Sequence, residues 1–251
     1  MTASGDSPLS MFANVCPSGR VLGSGSVTRE RTMPTPEVLS LSFLNTPKPP
    51  SIDAFDRIGV SVAYRPGEEI FVQGDEGDAV YRVLSGAVRA SRLLSDGRRQ
   101  ISGFYYGGDL FGLETGPHRH ASAEALAETR ILVVRRSSLK HYGAIGETLE
   151  RALWSATGEA LTRAQEHMML VARKSALERV AGFLDEMAER LGGDWVDLPM
   201  PRQDIADFLG LTIETISRML TQLQQDEVVE FHGCRRFRIK APARMAGLVA
   251  A

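Results

Sequence analysis

Residues 200–230 constrain the fold most, because they combine two short helix patterns with a glycine between them. Gly210 can adopt the left-handed conformation that ends a first helix, and Thr212 can cap the second. Thr215 stands where a glutamate would complete a capping box, so the box is only partial. Apolar residues then recur at helical spacing along one face of the second helix. They are Ile213, Ile216, Leu220 and Leu223.

A second face of the same helix is polar and hydrogen-bonding. Its residues follow at i, i+3, i+4 and i+7, and are Glu214, Ser217, Arg218 and Thr221. Such a face suits a helix that reads base edges in the major groove of DNA. The alternative is an ordinary helical hairpin whose polar face is solvated. On the first helix, Asp204 and Asp207 are expected to be solvated or close to a helix N-terminus.

Composition places the chain among ordinary water-soluble globular proteins. Of its 251 residues, 43% are hydrophobic and 24% are charged. No apolar run approaches the length needed to cross a bilayer, and the N-terminus lacks the pattern of a secretory signal. We therefore expect a cytoplasmic protein without a membrane partner.

Cysteine usage and motif content argue against several chemistries. The two cysteines, Cys16 and Cys234, form neither a disulfide framework nor a Cys-x-x-Cys pair. Four cysteine ligands for an iron–sulfur cluster are not present. Gly-x-Ser-x-Gly, Walker A and His-Glu-x-x-His motifs are also missing. We predict no enzyme activity, no resident cofactor and no metal site.

The net charge of −2 does not exclude DNA as a partner, because local charge decides phosphate contact. A basic cluster follows the two-helix segment. It contains Arg235, Arg236, Arg238 and Lys240. The alternative for this cluster alone is a solvated basic hairpin.

The N-terminal half divides into a tail and a region of short strands. Residues 1–50 are rich in Ser, Gly, Thr and Pro, and are expected to be disordered apart from a possible short helix at 36–44. From 59 to 137, alternating segments are punctuated by glycines, which is typical of a compact sandwich or barrel. The predicted strands are 60–64, 70–72, 80–84, 87–90 and 131–134.

A long helix is predicted over residues 147–171, which contain no proline. Residues at spacings of three and four form a stripe that resembles a dimer seam. They are Leu149, Leu153, Ala156, Ala160, Ala164, Met168 and Val171. Packing of this stripe on the helix's own domain is the open alternative. His167 lies near the stripe and is expected to be a satisfied interfacial histidine.

A second helix is predicted over residues 176–190, followed by the two-helix segment. Residues 228–231 and 236–240 then form a predicted β-hairpin around Gly233. Two helices with a trailing hairpin make a winged helix-turn-helix.

The order of these parts resembles the Crp/Fnr family of regulators over about residues 55–240. The most specific matches are Arg202-Gln-Asp-Ile-Ala-Asp-Phe-Leu-Gly210, Thr212-Ile-Glu-Thr-Ile-Ser-Arg218 and, in the strand region, Gly108-Asp-Leu-Phe-Gly112. The resemblance implies an α+β fold with an N-terminal β-roll, a long dimerisation helix and a C-terminal winged helix-turn-helix. The implied boundaries are 1–50 for the tail, 51–142, 143–173 and 174–251. The implied partners are DNA, RNA polymerase and a second copy of the chain.

Within that family, the Fnr branch reads DNA with a Glu-x-x-Ser-Arg face, which here is Glu214, Ser217 and Arg218. The resemblance therefore implies a palindrome of TTGAT-type half-sites. The chemistry agrees, because an arginine can bond guanine O6 and N7 while a glutamate accepts from a cytosine amino group. Crp has a second base-reading arginine where this chain has Ile213, which argues against a Crp-type site.

Other residues around the two helices and the hairpin are expected to contact the DNA backbone or to position the reading helix. They are Arg202, Thr212, Thr215, Thr221, Gln222, Arg235 and Arg236. Cys234 lies at the predicted hairpin turn, so its oxidation could perturb DNA contact.

The resemblance also bears on the signal. Cyclic-nucleotide binders of the family hold the ribose with a Gly-Glu pair and the phosphate with Arg-Ser or Arg-Thr. Here Leu113 replaces the acid and His120 with Ala121 occupies the phosphate position, although Arg119 could reach a phosphate after a one-residue slip. The segment is similar instead to the FixK subgroup, which implies an activator that is made under low oxygen through an upstream phosphorelay and is active without a bound effector. A haem- or ligand-sensing regulator is the alternative, with His118 and His120 as candidate ligands or, more simply, solvated histidines.

Overall fold

The computed structural model describes residues 52–250, so the expectations for the tail, its possible helix and Cys16 lie outside the described residues. Six α-helices are present in the described part. They are α1 (Ile52–Ile58), α2 (Gly143–Arg173), α3 (Ala176–Leu191), α4 (Arg202–Leu209), α5 (Ile213–Gln225) and α6 (Pro242–Ala250). A 3-10 helix, Arg136–Tyr142, leads into α2. The predicted helices at 147–171 and 176–190 are confirmed, the first beginning four residues earlier than predicted.

Eleven strands occur among the described residues, all in antiparallel pairs. The first eight are β1 (Val60–Tyr64), β2 (Glu69–Phe71), β3 (Ala79–Ser85), β4 (Ala87–Leu93), β5 (Arg99–Tyr106), β6 (Leu110–Phe111), β7 (Ser122–Ala125) and β8 (Thr129–Arg135). The last three are β9 (Val196–Asp197), β10 (Val229–His232) and β11 (Arg236–Ile239). All five predicted strand segments and the predicted hairpin are confirmed.

Strands β1–β8 form two four-stranded sheets, in the orders β1-β8-β3-β6 and β2-β7-β4-β5. We call this part the roll. The two sheets share one apolar cluster, in which Val83, Val88 and Ile131 are fully buried. The β3–β4 turn requires glycine, because Gly86 has φ +89° and an added Cβ would lie 2.4 Å from Thr129 Oγ1.

The first half of α2 packs on the roll. Leu149, Leu153 and Ala156 are buried in the chain itself, and the two leucines join a cluster with Phe55 and Val80. The predicted dimer seam is therefore wrong for these three residues, because their side chains are already buried within the single chain. The alternative of packing on the helix's own domain is confirmed for this half of the stripe.

The second half of α2 has a different surface. Met168 from the predicted stripe is 62% exposed, and Ala164 is exposed as well. Three large apolar residues of α2 outside that stripe are also exposed: Trp154 at 76%, Leu161 at 61% and Met169 at 48%. The exposed apolar face thus shares Ala164 and Met168 with the predicted stripe and extends beyond it to Trp154 and Leu161.

Helices α3–α6 and strands β9–β11 form a second unit, which we call the winged-helix unit. Its α3 begins at a complete capping box, in which Ser175 and Glu178 satisfy each other's backbone N–H groups. The three strands pair in the order β10-β11-β9, and Phe237 of β11 is fully buried beneath the helices.

The roll and the winged-helix unit share one hydrophobic core. Ile101, Phe104 and Tyr106 of β5 belong to the same buried cluster as residues of α3, α4 and α5. Phe104 lies 6.2 Å from the Phe183 ring and 5.4 Å from the Phe208 ring, both in edge-on arrangements. The two units are therefore docked through apolar side chains rather than joined by a free linker.

The helices of residues 52–250 are too short or too polar to cross a bilayer.

Replacing Leu149 by alanine should lower the free energy of unfolding by about 2–5 kcal/mol, because the residue is fully buried in the core beneath α2. Urea denaturation followed by circular dichroism measures the change. Leu93→Ala is the matched control, since Leu93 is 63% exposed. Equal losses in the two variants would contradict the placement of Leu149 in the core.

Candidate nucleic-acid interface

The turn between α4 and α5 has the geometry that the sequence predicts. Gly210 adopts the left-handed conformation, with φ 65° and ψ 38°, and its N–H donates to the Ala206 carbonyl. The Thr212 hydroxyl accepts from the Thr215 N–H at 3.3 Å and caps α5. The two helices form a helix-turn-helix held at both sides of its turn.

The buried face of α5 is nearly the predicted one. Ile216, Leu220 and Leu223 are buried in the shared core. Ile213 is 37% exposed, so its placement in the core was wrong. As the first residue of α5 it lies at the edge of the apolar stripe, about 60° from Ile216 at 100° per residue.

The predicted base-reading residues lie together on the outer face of α5. Glu214 and Arg218 are exposed, and Ser217 is half-buried between them. The Arg218 guanidinium donates to Thr215 Oγ1 at 3.3 Å, while Arg202 Nη1 lies 3.5 Å from Ser217 Oγ. The pKa of Glu214 is lowered below its ordinary value, mainly by a hydrogen bond from the Thr212 side chain. The carboxylate is therefore ionised and ready to accept a hydrogen bond at neutral pH.

Two predicted positioning residues follow on the same helix. Thr221 and Gln222 are exposed, and the Thr221 hydroxyl donates to the Ser217 carbonyl at 2.9 Å.

Three of the four basic residues of the hairpin lie close to carboxylates of the same chain. Arg238 pairs with Glu230 at 2.7 Å, and Arg236 lies 3.8 Å from Asp197. Lys240 lies 3.6 Å from Glu227. Arg235 is exposed and makes no ion pair within 4 Å in the described part of the chain.

Asp204 differs most from its prediction. It lies in the first turn of α4, which agrees with the predicted position close to a helix N-terminus. Its exposure is only 1%, so the other prediction, a solvated carboxylate, is wrong. Its two carboxylate oxygens accept hydrogen bonds from Arg89 and Arg99 of the roll, each at 2.6 Å. Asp207 also pairs with Arg99, at 2.7 Å. The expectation of solvated carboxylates fails because the roll supplies two guanidinium groups that the local sequence cannot indicate.

The end of α2 is also tied to the helix-turn-helix. His167 stacks on Phe208 of α4 with ring centroids 4.3 Å apart, and burial lowers its pKa. The expected satisfied histidine is thus found, although its neighbour belongs to the same chain. Arg179 donates to the carbonyls of Val171 at 2.6 Å and Leu209 at 3.2 Å. One side chain therefore links the last turns of α2 and α4.

A buried arginine fills the interior of the roll. The Arg119 guanidinium lies 4.5 Å above the Phe71 ring centroid and 5.3 Å from that of Tyr81. It donates to the Gly112 carbonyl and to the Glu114 carboxylate, both at 3.1 Å. This arginine is 2% exposed, so its charge is used within the chain.

The neighbouring histidines and Cys234 are surface residues. His118 and His120 are exposed, as in the simpler of the two predictions. Cys234 is exposed between β10 and β11, where the hairpin turn was predicted. Groups of three or more His, Cys, Asp or Glu side chains able to hold a metal ion are not found in residues 52–250.

Two family models match separate parts of the chain. Residues 61–144 match the cyclic nucleotide-binding domain, and residues 178–248 match the Crp-like helix-turn-helix domain.

Known proteins match most of the described part of the chain. The chain is 44% identical to the nitrogen fixation regulation protein FixK of Rhizobium meliloti over 186 residues, covering 74% of this chain and 85% of that protein. It is also 44% identical to the protein of the same name from Azorhizobium caulinodans, covering 71% of this chain and 75% of that protein. The structure of FixK2 from Bradyrhizobium japonicum has 45% sequence identity and a TM-score of 0.72, covering 77% of this chain and 98% of that one.

The chain belongs to the Crp/Fnr family of transcription regulators. Its likeness to the FixK proteins places it among the FixK-like activators of that family. The predicted fold, with a β-roll, a long helix and a C-terminal helix-turn-helix, is thereby confirmed.

The residues of this Crp/Fnr roll do not fit a cyclic nucleotide. Leu113 is a partly buried apolar residue packed beneath α2, and it offers no acid to a ribose. Arg119 is buried against two aromatic rings and donates to oxygens of its own chain, so it cannot also receive a phosphate without leaving them.

Sequence reasoning missed four residues that position the helix-turn-helix: Arg89, Arg99, Arg179 and Phe208. The arginines of the roll lie far from their partner in sequence, 115 residues for Arg89 and Asp204 and 105 for Arg99 and Asp204, whereas Arg179 lies eight residues from Val171. A weak signal was available for Asp204, because it precedes Ile205 and Ala206 on a short helix that must be mostly buried.

Glu186 of α3 provides a test of the junction between the two units. It lines a cavity of about 360 Å³ bounded by β5, α2, α3 and α4, and burial raises its pKa to about 7. A carboxyl whose pKa is higher in the folded state stabilises the fold at low pH. That contribution is lost as the pH rises through about 7.

The melting temperature should therefore fall between about pH 5 and 7, and Glu186→Gln should flatten this part of the profile. Thermal melts across that pH range measure the effect. Glu147→Gln, at an exposed position on α2, should leave the slope unchanged. An identical slope in wild type and Glu186→Gln would contradict the assignment.

Proposed function

We propose that the protein is a homodimeric activator that binds palindromes of TTGAT-type half-sites and is active without a bound effector. The observation that carries this proposal is the outer face of α5. Glu214, Ser217 and Arg218 lie there side by side, while Ile216 and Leu220 anchor the helix from the opposite side. Relatives named for nitrogen fixation regulation support target genes of that kind.

Each reading residue has a distinct role in this proposal. Arg218 bonds guanine O6 and N7, and Thr215 holds its guanidinium at the helix surface beforehand. Glu214 accepts from a cytosine amino group. Ser217 admits the helix to the groove and touches a neighbouring thymine.

The residues proposed to contact phosphates surround this face. Arg235 makes no ion pair within 4 Å in residues 52–250, whereas Arg236 Nε lies 3.8 Å from Asp197 Oδ2. Thr212, Thr215, Thr221, Gln222 and Arg202 complete the set, in which Arg202 also orients Ser217. Cys234 is exposed next to Arg235 and Arg236, so its oxidation would change the surface that we propose to contact phosphates.

A revised seam supports the dimer. Trp154, Leu161 and Met168 recur at intervals of seven residues and are each more than 60% exposed. Ala164 follows Leu161 by three residues and precedes Met168 by four, and Val171 follows Met168 by three, which makes a coiled-coil pattern. Two such helices under two-fold symmetry would present the two α5 helices to successive major grooves.

In this proposal the roll domain spans residues 51–142, the DNA-binding domain spans residues 174–251, and α2, within residues 143–173, is the dimerisation helix. RNA polymerase is the proposed second partner, contacted from exposed surfaces of the roll and the winged-helix unit. Both DNA and RNA polymerase imply a cytoplasmic protein.

The interior of the roll supports effector independence. Arg119 lies among Phe71, Tyr81 and Phe111, whose rings stack at centroid distances of 5.0–6.1 Å. A guanidinium that is already hydrogen-bonded and covered by rings gives a fixed, filled interior.

Fluorescence anisotropy with a labelled TTGAT palindrome tests the reading face. The wild-type protein should bind without any added ligand. Arg218→Ala should cost about 1–3 kcal/mol of binding free energy and relax discrimination at its guanine. The control is Arg235→Ala, which should weaken binding to all sequences alike and reduce the salt dependence.

A uniform loss across sequences for Arg218→Ala would make Arg218 a phosphate contact and overturn its assigned role. A wild-type protein that binds specifically only after addition of a small molecule would overturn effector independence.

The seam predicts a second result. Leu161→Asp should raise the dimer dissociation constant at least about tenfold, because it places a charge in an apolar helix contact. Mass photometry or sedimentation measures the change. Arg151→Asp, at an exposed α2 position off the seam, serves as control. Unchanged dimerisation of Leu161→Asp would refute this seam.

A further inference from the structure

The roll grips the first helix of the helix-turn-helix through a cluster of four charged side chains. We call this cluster the latch. It consists of Arg89 of β4, Arg99 of β5, and Asp204 and Asp207 of α4.

The latch is partly buried, with the Arg99 side chain 32% exposed, and both of its carboxylates accept hydrogen bonds. Arg89 Nη1 and Arg99 Nη2 each donate to a different oxygen of Asp204 at 2.6 Å. Arg99 also donates to Asp207, from Nε at 3.0 Å and from Nη2 at 2.7 Å. Side-chain exposure is 1% for Asp204 and 16% for Arg89. Charge-assisted bonds of this kind fix direction as well as distance.

Two neighbouring contacts extend the grip. Glu124 of β7 accepts from Arg89 Nη2 at 2.8 Å, which holds that guanidinium in place from behind. Gln100 donates its amide to the Asp207 carbonyl at 2.8 Å. Hydrogen bonds to Asp204 and Glu124 outweigh the effect of burial and raise the pKa of Arg89.

The latch has an orienting role that the apolar core beneath it cannot supply. Contacts such as Phe104 with Phe208 are non-directional and would tolerate a rotation of α4 on the sheet. The hydrogen bonds from Arg89 and Arg99 to the two oxygens of Asp204 would not tolerate such a rotation. It would break at least one of them and leave a buried charge less well paired. The orientation of α4 passes to α5 through their shared core and through Arg202 to Ser217.

We propose that Arg89 and Arg99 are positioning residues for DNA recognition, which hold the helix-turn-helix in its DNA-binding orientation while no effector is bound. This inference rests on the proposed function. The reading face is exposed while the latch is closed, so the latched arrangement leaves α5 free for DNA. The roll thus sets the position of the reading helix through its own side chains.

The test measures binding of the full-length protein to the TTGAT palindrome. Arg99→Gln and Asp207→Asn should each weaken binding by about tenfold, because the competent orientation becomes a minor population. The double variant should be no weaker than the worse single one, since both remove the same contact. Arg98→Gln is the matched control: Arg98 lies on the same turn, is 79% exposed and pairs with Asp96 nearby.

Two further readouts separate positioning from mere stability. Hydrogen exchange without DNA should speed up at α4 amides in Arg99→Gln, while the roll and the dimer mass stay unchanged. Arg99→Lys keeps the charge without the planar fork and should restore part of the affinity. Asp207→Asn, at a residue 15% exposed in its side chain, carries the test if Arg99→Gln does not fold.

Equal DNA affinity of wild type, Arg99→Gln and Asp207→Asn would overturn the inference alone. Tighter binding by the variants would also overturn it, because the latch would then be inhibitory. If the wild-type protein showed no preference for the palindrome, the proposed function would fail and this inference with it.

Discussion

The buried carboxylate of Asp204 is the constraint on which the arrangement of this protein depends. An unpaired carboxylate at 1% exposure would cost several kcal/mol, so α4 can dock on the sheet only where two arginines receive it. Arg89 and Arg99 stand on adjacent strands, opposite Phe104 and Leu93 respectively, and their long side chains converge on the two oxygens of Asp204. Apolar contact supplies the attraction between the two units, and the ion pairs select one docked geometry.

The same logic holds at two other places in the chain. Arg119 takes its place inside the roll, between aromatic rings and chain oxygens. Arg179 takes the free carbonyls at the ends of α2 and α4. In each case an arginine side chain joins segments of its own chain by donating hydrogen bonds to their oxygens. These internal contacts support the proposal that folding of the chain itself, without a ligand, sets the position of α5.

The local features of this fold could be predicted from the sequence, and the long-range ones could not. Gly210, Thr212 and the spacing of Ile216 with Leu220 specify their turn, cap and buried face within a dozen residues. Helix α2 was also predictable, but the choice of its outer face was not. Leu149 and Trp154 are both large and apolar, and the roll alone determines that the first is buried and the second exposed. Strand β5 was missed because its buried residues, Ile101, Phe104 and Tyr106, do not alternate strictly.

The charged residues show why the site was only partly predictable. Glu214, Ser217 and Arg218 could be grouped because helix geometry brings i, i+3 and i+4 together. No periodicity relates Asp204 to Arg89, and an acidic residue on a short helix is ordinarily a solvated one. The basic residues of the hairpin are likewise more engaged within the chain than their local sequence predicts. Four cations close in sequence suggest a strong phosphate-binding patch, yet Glu230, Asp197 and Glu227 neutralise three of them. The DNA recognition that we propose therefore depends more on the placement of α5 than on the charge of the wing.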